Sequence, residues 1–229
     1  MSDDIKINYL KPPVQKMPSL LETMKETKMP VFNFKKSPKP LTIKEIADKN
    51  MSEKLHSDWA KVMREEAKNH IPSYNPDPNI SKKFFQEIVQ TAERLNCNPE
   101  DLAAAMYRES HFDPQISSSS GKYKGLIQMD KQAFKLALEH AVKTGNKRID
   151  PKMTYDKYAK LPREQQIKYA EAYLKFRIDE AGLTGKKING GQLYVLIHVP
   201  SHIDNPKEVR KHQAYIAKAK KVPSEINKI

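Results

Sequence analysis

The sequence predicts a mainly α-helical protein. Apolar residues recur three and four positions apart through most of the chain, which is the period of an amphipathic helix. Several of these segments begin at residues that commonly cap helices, such as Thr42 and Asn98. The alternating pattern of a half-buried strand is scarce, and no internal repeat is visible.

The first forty residues predict an extended arm. They contain six prolines and no glycine, a composition that favours a semi-extended chain over a flexible linker. They also contain few residues able to build a core, so we expect this arm to lie on a surface, either of its own domain or of a partner.

One amphipathic helix is predicted after the arm. Thr42 and Glu45 have the spacing of a capping box, and apolar residues follow at helical spacing over residues 43–69. We expect Pro72 to end this helix and residues 74–79, which are rich in turn formers, to be a linker.

The rest of the chain predicts a compact helical unit. Residues 113–129 form a Ser- and Gly-containing loop, and residues 193–199 are a buried helix or a buried strand, which periodicity does not distinguish. Other helices are predicted after Ser81, from Asn98 to about Glu109, over residues 131–144, from Pro162 to Gly182, and over the basic tail 206–221.

Composition excludes several classes of protein. No apolar run approaches the roughly 18 residues of a membrane-spanning helix, and the first thirty residues lack the apolar segment of a secretory signal. The single cysteine, Cys97, excludes an intramolecular disulfide framework and a multi-cysteine zinc site. We expect Cys97 to be a small buried apolar residue and Trp59 to belong to the core or to a docking surface.

The charge balance is typical of a solvated, mildly cationic surface, with attraction to a polyanion as the functional alternative, and charge alone does not decide between them. Lys and Arg total 41 against 28 Asp and Glu, a net charge of +13 that is spread along the chain. Such a surface attracts nucleic acid or a cell wall whose peptide stems carry carboxylates. Because clustered arginines and paired aromatic residues are missing, nucleic acid is disfavoured as a specific ligand.

The stretch most informative about chemistry begins at the end of the predicted helix 98–109. Glu109 follows the apolar residues 103–106, and a carboxyl beside apolar walls has a raised pKa, which suits a general acid. Gly121 and Gly125 allow the backbone to approach a ligand closely, and Gln128 offers an amide to its hydroxyls.

At these residues the chain resembles the soluble lytic transglycosylases, the goose-lysozyme-like branch of the lysozyme superfamily. Their Glu-Ser-x-Phe-Asn/Asp-Pro block is similar to residues 109–114, and their Gly-Leu-Met/Ile-Gln block to residues 125–128. The resemblance covers roughly residues 81–203. It implies a lysozyme-like helical domain that cleaves the β-1,4 bond between N-acetylmuramic acid and N-acetylglucosamine of peptidoglycan without water, a cofactor or a metal.

The resemblance also implies a role for each candidate site residue. Glu109 is the catalytic acid, which then acts as base on the muramic acid 6-hydroxyl. Ser110 orients Glu109, and Ser118 and Gln128 hydrogen-bond the substrate. Tyr194 lies in the substrate cleft.

Two departures from the family pattern leave alternatives open. One residue is inserted between Gly121 and Gly125, and the usual Ala-Tyr-Asn-Ala-Gly motif is replaced by residues 193–200, which look like the variant in phage-borne members. One alternative is therefore a structural virion or adaptor protein with an inactive lysozyme-like domain. Another is a true hydrolase, which needs a second carboxylate; Asp113 is the nearest in sequence. No metal site is predicted, because His111, His198 and His202 lack ligand spacing.

The predicted organisation has three parts. Residues 1–78 are a docking arm and helix that bind a virion or assembly partner, residues 79–203 are the lysozyme-like domain, and residues 204–229 are a basic helical tail. Without a predicted export signal, we expect delivery in a phage particle and action in the periplasm and cell wall of the host, with no membrane span.

Overall fold

The described residues are mainly helical, as predicted. The computed structural model describes residues 41–69 and 75–226, and within these residues the only extended pairing consists of isolated bridges. The helices in chain order are α1 (Ile43–Lys68), α2 (Lys82–Arg94), α3 (Pro99–Ser110), α4 (Lys131–Lys143), α5 (Tyr155–Tyr158), α6 (Arg163–Glu180), α7 (Gly190–His198), a 3₁₀ turn (Pro200–His202) and α8 (Pro206–Ile226).

The helices begin where side chains satisfy their first backbone N–H groups. At α1 the Thr42 hydroxyl accepts from the Glu45 N–H at 3.2 Å, and the Glu45 carboxylate accepts from the Thr42 N–H at 2.7 Å. At α3 the Asn98 side chain accepts from the Glu100 N–H at 2.8 Å, with Pro99 as the first helical residue. The predicted starts of both helices are therefore confirmed.

Residues 193–199, whose sequence fits either a helix or a strand, form most of α7. Asn189 and Gln192 make a reciprocal capping box at its start, so the helix begins before the apolar run. Close packing against α8 also requires Gly191, because a Cβ atom there would collide with the Val209 carbonyl oxygen.

Helix α1 belongs to the core. The side chains of Leu55, Trp59, Val62 and Met63 are buried, and the Trp59 ring centroid lies 4.6 Å from that of Tyr107 in α3. Residues from Leu41 onward form one compact unit. The predicted boundary at residue 78 therefore does not separate α1 from the rest, because the apolar face of α1 is buried against α2, α3 and α8.

Helix α8, predicted as a separate basic tail, belongs to the same unit and runs past residue 221. It buries His212, Ile216 and Ala219 against α7, α3 and α1. Lys220 pairs with the nearly buried Asp101 of α3 at 2.8 Å. The predicted boundary at residue 203 is thus not a packing boundary. The predictions for residues 1–40 and for Pro72 lie outside the described residues.

The loop between α3 and α4 is fixed by one side chain of α6. Gln166 is fully buried; its amide oxygen accepts from the Leu126 N–H at 3.2 Å, and its amide nitrogen donates to the Pro114 carbonyl at 2.7 Å. Gly125 passes directly over Gln166 with φ of +78°, so a Cβ atom there would lie 2.5 Å from the amide oxygen. Glycine is required here for both conformation and space.

Among the described residues, no helix combines the length and the apolar character needed to cross a bilayer.

Candidate active site

Glu109 lies in the last turn of α3, with its side chain half-buried. Residues 103–106, in the preceding turn of α3, are fully buried. Burial raises the pKa of Glu109 above its usual range, and the effects of Tyr194, His198 and Arg108, which lower it, do not cancel this rise. The Glu109 carboxyl is therefore suited to donate a proton nearer to neutral pH than an exposed glutamate does.

One wall beside Glu109 is a cluster of aromatic and imidazole rings from α7 and α8. Tyr194 and His198 are stacked with 5.8 Å between ring centroids and 7° between ring planes, and His212 lies 5.4 Å from Tyr194. Burial and the nearby Glu109 carboxylate raise the pKa of Tyr194 to about 12, so its hydroxyl keeps its proton at neutral pH. Tyr194 can then hydrogen-bond the carboxylate form of Glu109.

Arg108 covers the outer side of this cluster. Its Nε donates to the Tyr194 hydroxyl at 3.3 Å, and its guanidinium carbon lies 5.5 Å from the Tyr194 ring centroid and 4.9 Å from that of Tyr215. The side chain is exposed although three contacts hold it in place.

A pocket of about 220 Å³ is lined by Gln128 and His198, and Glu109 is not among its lining residues. His198 also lowers the pKa of Glu109, so this one residue connects the surroundings of the acid with those of the predicted ligand-binding amide. The Gln128 amide nitrogen donates to the Gly125 carbonyl at 2.9 Å, which leaves the amide oxygen to accept from a ligand hydroxyl. The Gln128 backbone has φ of +47°, an uncommon conformation for this residue type.

This pocket adjoins a larger groove. Asp130 and Gln132 line both the pocket at Gln128 and a groove of about 870 Å³ that continues past Phe134 and Tyr155. Another hollow, of about 400 Å³, lies at Arg94, His140 and Asp179, and no predicted site residue lines it.

Ser110 has a different position from the one predicted. Its side chain is fully buried, and its hydroxyl lies 2.9 Å from the Met106 carbonyl and 3.0 Å from the Leu126 carbonyl. A ligand therefore does not reach this hydroxyl. The Ser110 hydroxyl instead connects the end of α3 to the loop that contains Gln128 by hydrogen bonding.

Ser118 also makes its contacts within its own loop. Its hydroxyl accepts from the Tyr123 N–H at 3.1 Å and lies 3.1 Å from the Ser120 hydroxyl. These bonds shape the loop, and the structure shows no contact that joins Ser118 to Glu109 or to Gln128.

Asp113, predicted as the candidate second carboxylate, forms part of a turn, and a different carboxylate, that of Asp130, lines the pocket at Gln128. Asp113 accepts from the Gln115 N–H at 2.8 Å. Asp130 lines the pocket with Gln128 and caps α4 by accepting from the Ala133 N–H at 2.7 Å. Its sequence position, directly before a helix, indicates only a cap; nothing in that pattern indicates the pocket.

Metal and thiol chemistry find no support in the described part of the chain. Within residues 41–69 and 75–226, no three His, Cys, Asp or Glu side chains converge as a metal site would require. Burial raises the pKa of Cys97 to about 12, so this thiol is not a nucleophile at neutral pH. Trp59 is a core residue with 2% of its surface exposed and is not available as a sugar platform.

No family model, curated protein or solved structure was found to match this chain. A half-buried carboxyl, a neighbouring phenol and an exposed guanidinium are suited to acid–base chemistry.

Proposed function

We propose that the chain is a peptidoglycan lytic transglycosylase with a lysozyme-like helical domain. The observation that carries this proposal is the environment of Glu109: a half-buried carboxyl of raised pKa on which Tyr194, His198 and Arg108 act, with no second carboxylate among these groups. A retaining or inverting hydrolase needs a second carboxylate beside the first, whereas a lytic transglycosylase acts with one. The resemblance of residues 109–114 and 125–128 to that family agrees with this chemistry.

In this mechanism Glu109 acts twice. In its neutral form it protonates the glycosidic oxygen, and the bond to the muramic acid C1 breaks as the leaving sugar accepts that proton. The resulting carboxylate then takes the proton of the muramic acid 6-hydroxyl, whose oxygen bonds to C1 and closes a 1,6-anhydro ring. Arg108 and Tyr194 stabilise the carboxylate between the two steps, and the second step returns Glu109 to its acid form.

The groove is suited to a glycan strand. The pocket at Gln128 and the larger groove beyond it share Asp130 and Gln132, so several consecutive sugars can lie along one surface. Tyr155 contributes to the groove, and aromatic rings with nearby polar groups favour sugars.

A true hydrolase is the second candidate, and Asp130 favours it, because this carboxylate lines the same cleft as Gln128. Digestion of purified sacculi, with products measured by mass, separates the two. A transglycosylase releases 1,6-anhydromuropeptides about 18 Da lighter than the reducing products of hydrolysis, since no water is added. Reducing muramic ends as the main product would refute the first proposal.

Asp130→Asn gives an independent comparison. Asparagine also caps helices, so α4 keeps its start and the fold is retained. A transglycosylase that uses Glu109 alone retains its rate within a fewfold in this variant. A hydrolase that depends on Asp130 as its second carboxylate loses on the order of 10²-fold or more.

Delivery in a phage particle remains a proposal, supported by the similarity of residues 193–200 to phage-borne members of the family. Residues 1–40 are the segment proposed to bind a virion or assembly partner, since α1 is committed to the core. Mass spectrometry of purified virions tests this: peptides of the chain are expected, and their absence would refute delivery in the particle.

A further inference from the structure

Arg108 is positioned as a ligand-binding group. Its side chain is exposed, directly beside the catalytic glutamate proposed above. Among the ion pairs of the described residues, none includes Arg108, whereas Arg94 and Arg148 both pair with the buried Glu171. The charge of Arg108 is therefore not used in an ion pair of the described residues.

Its contacts hold the guanidinium in one orientation. The Nε–H donates to the Tyr194 hydroxyl, and the guanidinium carbon lies 5.5 Å and 4.9 Å from the ring centroids of Tyr194 and Tyr215. Cation–π contacts of this kind restrict an arginine that is otherwise flexible. Within residues 41–69 and 75–226 no acceptor is found for the terminal N–H groups of Arg108, whose planar arrangement matches two oxygens of a carboxylate.

We propose that Arg108 binds a carboxylate on the muramic acid side of the cleaved bond, and thereby selects acidic glycans over neutral ones. This inference rests on the proposed function and adds to it a substrate group, a carboxylate, that Glu109 and Gln128 do not bind. Two sources supply the group in peptidoglycan: the lactyl substituent once its peptide is removed, and the peptide stem itself.

A purely electrostatic role for Arg108 has to be separated from this one. Arg108 lowers the pKa of Glu109, so its removal changes the activity even if no ligand touches it. The test therefore measures binding in a non-cleaving background, Glu109→Gln, and varies the charge of the substrate. Sacculi are prepared in native form and with their carboxyls converted to neutral amides.

Four proteins are compared by co-sedimentation with both forms of sacculi: the Glu109→Gln background, and the background with Arg108→Gln, with Arg108→Lys or with Arg210→Gln. Arg210 is an exposed arginine of α8 and gives the matched loss of charge away from the rings. About 0.3 M salt screens general attraction between the cationic protein and the wall.

The background protein is expected to bind native sacculi about tenfold to a hundredfold more tightly than amidated sacculi, as for a hydrogen-bonded charge pair. Arg108→Gln removes that preference, Arg210→Gln keeps it, and Arg108→Lys keeps only part, because an ammonium lacks the planar pair of donors. The substrate form assigns the source. In native sacculi the lactyl carboxyl is blocked by its amide bond to the stem, so a preference for native sacculi that depends on Arg108 indicates the stem carboxylate. Dependence on Arg108 that appears only with strands stripped of their stems by an amidase indicates the lactyl carboxylate.

Equal weakening of both forms of sacculi by Arg108→Gln, or an unchanged preference, would overturn the inference if the binding of stripped strands is also independent of Arg108. The absence of binding to both native sacculi and stripped strands would overturn it as well. The proposed function fails by a different result, namely that the wild-type protein releases no anhydro products. Because binding is measured without cleavage, the Arg108 comparison would still test carboxylate binding if no anhydro products were found.

Discussion

Replacement of Glu109 by glutamine is the sharpest test of the proposed chemistry. Glutamine keeps the shape and the hydrogen-bonding size of the side chain and removes its transferable proton. General acid–base catalysis contributes about 10²–10⁴ in rate, or about 2.7–5.5 kcal/mol at the transition state, so release of muropeptides should fall by that factor. Glu139→Gln is the matched control, because Glu139 is an exposed glutamate of α4 whose ion pair with Lys135 is worth little.

The same variant gives a stability measurement that distinguishes a catalytic from a structural glutamate. Because the folded protein holds the pKa of Glu109 above its ordinary value, the wild type is most stable when this carboxyl is protonated. That stability is present below about pH 4.3, the ordinary pKa of a glutamate, and is lost as the pH rises through the raised folded pKa. Relative to the wild type, Glu109→Gln should therefore become more stable as the pH rises through this window.

The activity should follow the same titration. The rate of the wild type should fall as the pH rises through the raised pKa of Glu109, because only the neutral carboxyl protonates the leaving oxygen. Thermal unfolding of both proteins from pH 4 to pH 8, together with the rates of muropeptide release, provides the comparison. A variant that keeps more than about half of the wild-type rate, or that is clearly less stable at neutral pH, would refute this assignment of Glu109.

Three further predictions concern the structure that supports the site. Gly125→Ala should destabilise the protein by about 2–4 kcal/mol, because the new Cβ atom collides with Gln166 and the backbone has a positive φ. Gly145→Ala is the control: its φ is also positive but the space around it is open, so it should cost about 1 kcal/mol. Equal melting temperatures of these two variants would refute the close packing at Gly125. Trp59→Ala should cost about 3–5 kcal/mol by urea unfolding, and a loss below 1 kcal/mol would show that α1 is not part of the core. Ser110→Ala should cost about 1–3 kcal/mol with a rate on sacculi reduced less than tenfold; a loss comparable to Glu109→Gln would indicate direct chemistry by this hydroxyl.

Most helix boundaries could be predicted because their determinants are local. Thr42 and Glu45 satisfy each other's backbone N–H groups within four residues, and the Asn98 side chain accepts from the Glu100 N–H at the start of α3. The short helix α5 was not predicted, since four residues give too little periodicity to detect.

The division into parts could not be predicted from the same patterns. An apolar stripe shows that one face of a helix is buried, but it does not show which element covers that face. Trp59 and Ile216 lie far apart in sequence and belong to one compact unit, so α1 and α8 cannot be assigned to an arm and a tail. Such information resides in the tertiary packing.

The candidate site divides in the same way. Glu109 and Gln128 belong to short motifs, so sequence alone could propose them. Arg108 and Tyr215 are more than a hundred residues apart and meet only because α8 packs beside α7 and α3. A tyrosine in a basic helix carries no sequence pattern that indicates a cleft.

The spacing of the two motif blocks has a structural reason that separates packing from chemistry. The buried Ser110 hydroxyl lies 3.0 Å from the Leu126 carbonyl, and Gln166 holds the N–H of the same residue, so the loop is fixed from both sides. These bonds constrain where Gln128 lies relative to the end of α3. A serine beside a glutamate can thus persist for packing alone, while the half-buried carboxyl of Glu109 and the exposed guanidinium of Arg108 remain to meet the substrate.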